Sequence, residues 1–220
     1  DLNTARFKSA GWGANAEAVI AVGGATSPGA NEVANAETFN GSAWSETGDL
    51  NTARQLMGSF GASSTSGIVA GGSPAPPSDS AATESWNGSA WTEVNDLNTS
   101  RTQLGGFGTA SDDGYVVGGY DYGPNAGTTV TESWDGTSWT EVGDLASAKW
   151  EMGAGGSATS GLIAGGDPGA VTTSEEWTFS GIPPATTAVG YADAIVGDMY
   201  YNTTTGQFKA IKDGGAAIGT

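Results

Sequence analysis

The stretch ATESWNGSAWTEV, residues 82–94, decides how this chain folds. It reads as two short strands joined by a tight turn. Asn87-Gly88 supplies the turn, and the pair predicts a type I′ hairpin, because Asn and Gly tolerate positive φ best. Trp86 and Trp91 flank it, one on each strand. Just upstream, GIVAGG (67–72) is a short apolar run stopped by a glycine pair. Just downstream, DLNTSR (96–101) is a polar connector.

The same succession recurs through the chain. DLNTAR starts at Asp1 and Asp49, DLNTSR at Asp96 and the weaker DLASAK at Asp144, with spacings of 48, 47 and 48 residues. Glycine pairs fall at Gly23-Gly24, Gly71-Gly72, Gly118-Gly119 and Gly165-Gly166, each after an apolar run. The hairpin returns as AETFNGSAWSE (36–46) and TESWDGTSWTE (131–141); a fourth copy, SEEWTFSG (174–181), keeps Trp177 but lacks the second Trp. A fixed period of this length decides the architecture before any local preference does. Each unit offers about four short strands, called a to d, and no long helical pattern, which predicts an all-β fold. One such sheet cannot cover both its faces; copies packed side by side can. The expected division is a repeat array over residues 1–189 (units 1–48, 49–95, 96–143 and 144–189), then a C-terminal hairpin extension over 190–220. Pro183-Pro184 breaks regular pairing and marks the linker, so the boundary is expected near residues 181–190. The chain opens on Asp1, at the start of a repeat, which fits a processed product or a slice of a longer one.

Composition narrows the function classes. There are 37 glycines but also eight tryptophans, and disordered chains are poor in aromatics, so the glycines point to close sheet packing. The chain has no Cys and no His, which removes disulfide staples, thiol chemistry, His general bases and His- or Cys-ligated metals. A net charge of −17 argues against binding nucleic acid through its phosphates and suits a protein that stays soluble at an exposed surface. No run is long and apolar enough to span a membrane as a helix.

Of the seven Lys and Arg, four share one repeat register: Arg6, Arg54, Arg101 and Lys149. Glu37, Glu84, Glu132 and Glu175 occupy a nearby register and are natural partners. A repeated Arg–Glu bridge, or Arg bonds to carbonyls pinning each connector, is preferred over a ligand-binding ring of arginines.

Taken together, the glycine pair, the Glu followed by an aromatic (Glu84, Trp86), the Trp at fixed distance (Trp91) and the basic residue (Arg101) resemble kelch repeats over residues 1–181. The resemblance implies four-stranded β-propeller blades. Kelch propellers usually carry six or seven blades, whereas this chain shows four units, the last degenerate. The wording DLNTAR with ESWNGSAWTEV is similar to kelch-like virion proteins of marine bacteriophages, the cyanophages in particular. GYADAIVGDMYYNTTTGQFKAI (190–211) is similar to a segment of phage structural and fibre proteins, and reads as one more hairpin turning at Asn202–Gly206. That hairpin is expected to close the ring or to contact another subunit.

No catalytic residue, metal site or cofactor is expected. Asp112-Asp113 and Asp121 are the carboxylates nearest to a glycosidase-like pair, but solvated loop charge explains them better. Trp44, Trp86, Trp91, Trp134, Trp139 and Trp177 are expected to pack blade against blade. Trp12 and Trp150 fall outside that register and are expected on strand a, in the core. The b–c loops (25–36, 73–83, 120–131 and 167–174) vary most, and varied loops on a repeated scaffold are where binding lives. Tyr120, Asp121 and Tyr122 are the candidate contact residues. The resulting expectation is a non-enzymatic structural or display protein on a virion surface, a fibre or appendage. It would be homo-oligomeric, with other virion subunits and a host-surface glycan or protein as partners, and with neither nucleic acid nor membrane insertion. The alternatives are a secreted bacterial adhesin or filament subunit, extracellular, and a carbohydrate-active enzyme.

Overall fold

The computed structural model describes residues 1–28, 31–169, 171–178, 199–202 and 207–210. The chain divides into two compact units, Asp1–Trp177 and Thr178–Thr220. In the first unit, four small antiparallel sheets are arranged as the blades of a four-bladed β-propeller. Blade 1 is β1 (Ala10–Asn15), β2 (Ala18–Val22), β3 (Ala36–Phe39) and β4 (Trp44–Glu46). Blade 2 is β5 (Gly58–Ser63), β6 (Ser66–Ala70), β7 (Thr83–Trp86) and β8 (Trp91–Val94). Blade 3 is β9 (Gly105–Ala110), β10 (Asp113–Val117), β13 (Thr131–Trp134) and β14 (Trp139–Glu141). A short pair, β11 (Tyr120–Asp121) and β12 (Ala126–Gly127), stands in its b–c loop. Blade 4 has three strands among the described residues, β15 (Gly153–Ser157), β16 (Ser160–Ala164) and β17 (Ser174–Thr178). Within each blade, neighbours in sequence are neighbours in the sheet.

The second unit contains an antiparallel pair, β18 (Met199–Asn202) and β19 (Gln207–Ala210), in the register Met199↔Ala210 to Asn202↔Gln207. That is the hairpin expected from the tail sequence. The Pro183-Pro184 linker and the boundary at 181–190 lie outside the described residues.

The glycine pairs stop strand b for a backbone reason. Gly71 has φ 67° and Gly72 φ 94°, a region that L side chains rarely adopt. A Cβ on Gly71 would stand 2.7 Å from the Arg101 carbonyl oxygen, and one on Gly72 2.7 Å from that of Gln55. The next connector and the start of the blade's own strand a therefore lie flush on the pair, and the Gly72 N–H donates to the Arg101 carbonyl at 2.9 Å.

The Trp hairpin differs from the expected type I′ turn. Trp86 pairs directly with Trp91, which leaves a four-residue loop, Asn87–Ala90. Only Gly88 has positive φ (93°); Asn87 does not. The Asn87 side chain decides the matter: its Oδ1 accepts the N–H groups of Ser89 and Ala90, both at 3.0 Å. An Asx turn of this kind needs an acceptor, not a left-handed backbone. Asp135 consequently does the same work in blade 3, accepting from Thr137 and Ser138 at 2.8 Å.

Successive blades interlock by one repeated device. The third residue of strand a is aromatic in the first three blades: Trp12, Phe60 and Phe107. Each ring lies against the first glycine of the apolar run in the next blade. A Cβ there would stand 2.2 Å from Trp12 at Gly67, 2.4 Å from Phe60 at Gly114 and 2.5 Å from Phe107 at Gly161. Around each ring the core closes: Ile20, Val69, Trp86 and Trp91 at the first junction, Ile68, Val116, Trp134 and Trp139 at the second, and Tyr115 and Ile163 at the third. Trp86, Trp91, Trp134 and Trp139 are thus blade-to-blade packing, each worth at least about 1.5–3 kcal/mol of buried apolar surface. The innermost strands run β1, β5, β9, β15 side by side, and no comparable packing joins β15 back to β1.

Candidate functional site

The connectors are the most regular polar feature of the molecule. Each of the three that join one blade to the next is fastened twice. Its Asp and Leu hold the blade just finished: the Asp96 carboxylate accepts the Thr83 N–H at 3.3 Å, and the Leu97 N–H donates to Ala81 at 2.9 Å. Its Asn and Arg hold the blade about to begin. Arg101 Nη2 meets Glu132 Oε1 at 2.9 Å, while its Nη1 donates to the carbonyls of Gly118 (3.3 Å) and Val130 (2.6 Å). The Asn98 N–H and side-chain amide donate to the other oxygen of Glu132 at 2.8 and 2.7 Å. The pattern repeats as Arg6–Glu37 (2.6 Å) and Arg54–Glu84 (2.8 Å), and with lysine as Lys149–Glu175.

The basic register is therefore a set of structural pins, fully buried at Arg54 and Arg101. Burial pushes both guanidinium groups down from the usual arginine value, and Glu84 and Glu132 oppose that shift. Asn51 and Asn98 belong to the same device. The recurrence of Asn in DLN is the only sequence signal for them, and its meaning is invisible until the Glu that receives the amide is located. In unit four, Ala146 keeps just the backbone bond to Glu175 at 2.7 Å.

The pins make stability depend on acid. At Glu37, burial raises the carboxyl pKa, but the N–H groups of Asn3 and Thr4 and the Arg6 guanidinium outweigh it, and the net shift is downward from 4.5. Glu175 is likewise held down against burial by Lys149 and Ala146. A carboxyl with a depressed folded-state pKa stabilises the fold above its unfolded value, and that contribution is lost as pH falls through the folded value. The melting temperature is accordingly expected to hold from pH 7 to about 5 and to fall below about 4.5. Thermal melts followed by circular dichroism across this range check it; a flat profile down to pH 3 would contradict the pinning account.

The exposed candidate lies where the b–c loops gather with the starts of strand a. Tyr120 and Tyr122 meet edge to face with ring centroids 5.3 Å apart. Trp150 joins them, its centroid also 5.3 Å from that of Tyr120. Trp150 does not sit on strand a in the core, as the sequence suggested. It precedes β15, bridges to Asp167 and is half-buried, whereas Trp12 is in the core at 9% exposure. Gly127 explains the difference. A Cβ there would stand 2.3 Å from Trp150, so β12 lies flat on the indole and holds it at the surface.

Polar groups frame the three rings. The Tyr120 hydroxyl donates to Asn125 at 3.0 Å, and the Tyr122 N–H donates to Asp79 of the preceding blade at 2.8 Å. Asp121 accepts the Gly123 N–H at 2.7 Å, so one of its oxygens shapes the turn. Asp79, Asp121 and Asp167 bring carboxylates to the neighbourhood. Asp112, in the turn between β9 and β10, and Asp113, the first residue of β10, stand at the opposite end of blade 3 and do not join them. Among the described residues, no group of three or more Asp and Glu is placed to hold a metal ion, and no helix is long and apolar enough to cross a membrane.

Fold and site together define a four-bladed, all-β propeller whose repeated Arg/Lys–Glu pairs pin its connectors and which carries a half-buried aromatic cluster on one loop face. The chain matches no protein-family model, and no curated protein matches it.

Proposed function

We propose that this protein is a non-enzymatic display scaffold that binds glycan through the Tyr120, Tyr122 and Trp150 cluster. The observation that carries the reading is that three aromatic side chains, drawn from two blades, are held half-buried at the loop face by Gly127 and Asp79. Aromatic rings edged by carboxylate and amide acceptors suit sugar rings, which present C–H faces to stack and hydroxyls to donate. The carboxylates and the net charge of −17 disfavour anionic sugars, so the ligand class is neutral or amino glycan. A chain without His or Cys lacks imidazole and thiol catalysts, and the Asp79 and Asp121 carboxylates beside the rings each accept a backbone N–H of the loop, which supports binding without turnover. The likeness of DLNTAR and ESWNGSAWTEV to phage kelch-like proteins supports a place on a virion surface, where many copies turn weak sites into avid attachment.

A glycan array with the full chain, followed by titration of each hit, tests the reading. Tyr120→Ala and Trp150→Ala are each expected to weaken binding at least tenfold (about 1.4 kcal/mol) while leaving the melting temperature within a few degrees. Release of reducing sugar from a bound glycan would point instead to an enzyme. Retained binding in both variants would move the site elsewhere.

A further inference from the structure

The two ends of the propeller array are not equivalent, and they match each other. The blade-4 position equivalent to Trp12, Phe60 and Phe107 is Gly155, around which a Cβ would meet nothing within 4 Å among the described residues. On the same face Leu162, paired with Gly155, is 48% exposed, whereas its equivalents Ile20 and Ile68 are buried. At the other end, Val19 of blade 1 stands where Gly67, Gly114 and Gly161 receive a ring. Val19 and Ala21 are half-buried, as are Phe39 and Trp44, whose equivalents Trp86 and Trp91 are buried by the preceding blade. A valine in the socket cannot admit an aromatic plug, and a glycine at the plug position leaves a space that a glycine socket would not fill. Each end is mismatched to an internal blade and complementary to the other.

A second series of groups says the same. Lys8, Leu56, Gln103 and Glu151 open strand a in the four blades, all with φ between 55° and 60°. They form a ladder around the axis: the Leu56 N–H donates to Lys8 at 3.0 Å, that of Gln103 to Leu56 at 2.9 Å and that of Glu151 to Gln103 at 3.1 Å. The Gln103 amide also donates to the Glu151 carboxylate at 2.8 Å. The ladder ends with the Lys8 N–H and ammonium at blade 1 and with the Glu151 carbonyl and carboxylate at blade 4. One further step of the same ladder would set Lys8 beside Glu151, donor to acceptor and cation to anion.

We infer that blade 4 of one copy docks on blade 1 of a second copy, head to tail, through the same interface that joins blades within the chain. Head-to-tail contacts close into a ring when the rotation permits. Propellers carry about four to eight blades, so two copies, with eight, make a ring and three do not. The inference rests on other observations than glycan binding does: the plug, the socket and the ladder are argued from Gly155, Val19, Lys8 and Glu151, none of them a residue of the aromatic cluster.

Light scattering on the full chain, with zero-length carbodiimide coupling of a mixture of isotope-labelled and unlabelled copies, tests it. The expected mass is twice the 21.9 kDa of one chain, with a Lys8–Glu151 cross-link joining labelled to unlabelled peptide. Gly155→Phe, which has open space around it and so leaves the fold intact, is expected to raise the dimer dissociation constant about a hundredfold. Adding Val19→Gly to it recreates an internal junction and restores the dimer. A monomeric chain, a cross-link found only within single copies, or a Gly155→Phe dimer of unchanged affinity would each overturn the inference.

Discussion

Replacing Arg101 with alanine is expected to destabilise the protein by about 3–5 kcal/mol, lowering the melting temperature by roughly 6–20 °C. The size of the effect follows from what is left behind. Glu132 is fully buried, and without the guanidinium its charge faces only the N–H and amide of Asn98. The carbonyls of Gly118 and Val130, at the two ends of the b–c connection, lose the guanidinium at the same moment, and Val130 keeps only the Gly118 N–H. Arg101→Lys is expected to cost less, roughly 1–3 kcal/mol, because the ammonium can reach Glu132 but not both carbonyls as well. Blade 4 already carries this compromise, with Lys149 on Glu175 and no Asn in the connector. Chemical denaturation of the two variants beside the parent chain measures the difference. Equal losses would mean that charge alone matters and that the carbonyl bonds add nothing. A loss below about 1 kcal/mol for Arg101→Ala would refute the pin as a stabilising device.

The sequence shows the propeller because a repeat multiplies weak local signals. A single glycine pair, Trp hairpin or DLNTAR connector is ambiguous; four in one order define blades and their strands. The Arg and Glu registers are legible as pairs for the same reason. What stays hidden is whatever depends on a side chain folding back on its own backbone or on a contact between units. Asn87 has the composition of a type I′ turn, yet its amide oxygen builds an Asx loop, and only the matching behaviour of Asp135 shows which property counts. Trp150 follows the basic residue at the position of Phe7, Gln55 and Thr102. Its alignment therefore places it at the mouth of strand a, but nothing local reveals that Gly127 lies beneath it. Tyr120 and Tyr122 could be singled out from their loop; the third ring of their cluster comes from a different blade and from a residue that reads as core.

The junction between blades 2 and 3 gives the sharpest test of how the array is held together. Phe60 is 2% exposed, lies against Gly114 and meets Trp139 edge to face at 6.2 Å. Phe60→Ala is expected to cost about 3–5 kcal/mol, since the surrounding blades are tied by their own pins and cannot collapse into the space. Gly114→Val is expected to cost about 1–3 kcal/mol for the opposite reason: its Cβ would stand 2.4 Å from two ring carbons of Phe60. Combining the two removes the ring and supplies a side chain to occupy its place. The double variant is therefore expected to be about 1–3 kcal/mol more stable than the sum of the single losses predicts. That arrangement, valine in the socket and no ring in the plug, is the one the chain carries at its two free ends in Val19 and Gly155. Strict additivity in denaturant melts would mean that ring and glycine do not act as a pair, and the repeated junction would need another explanation.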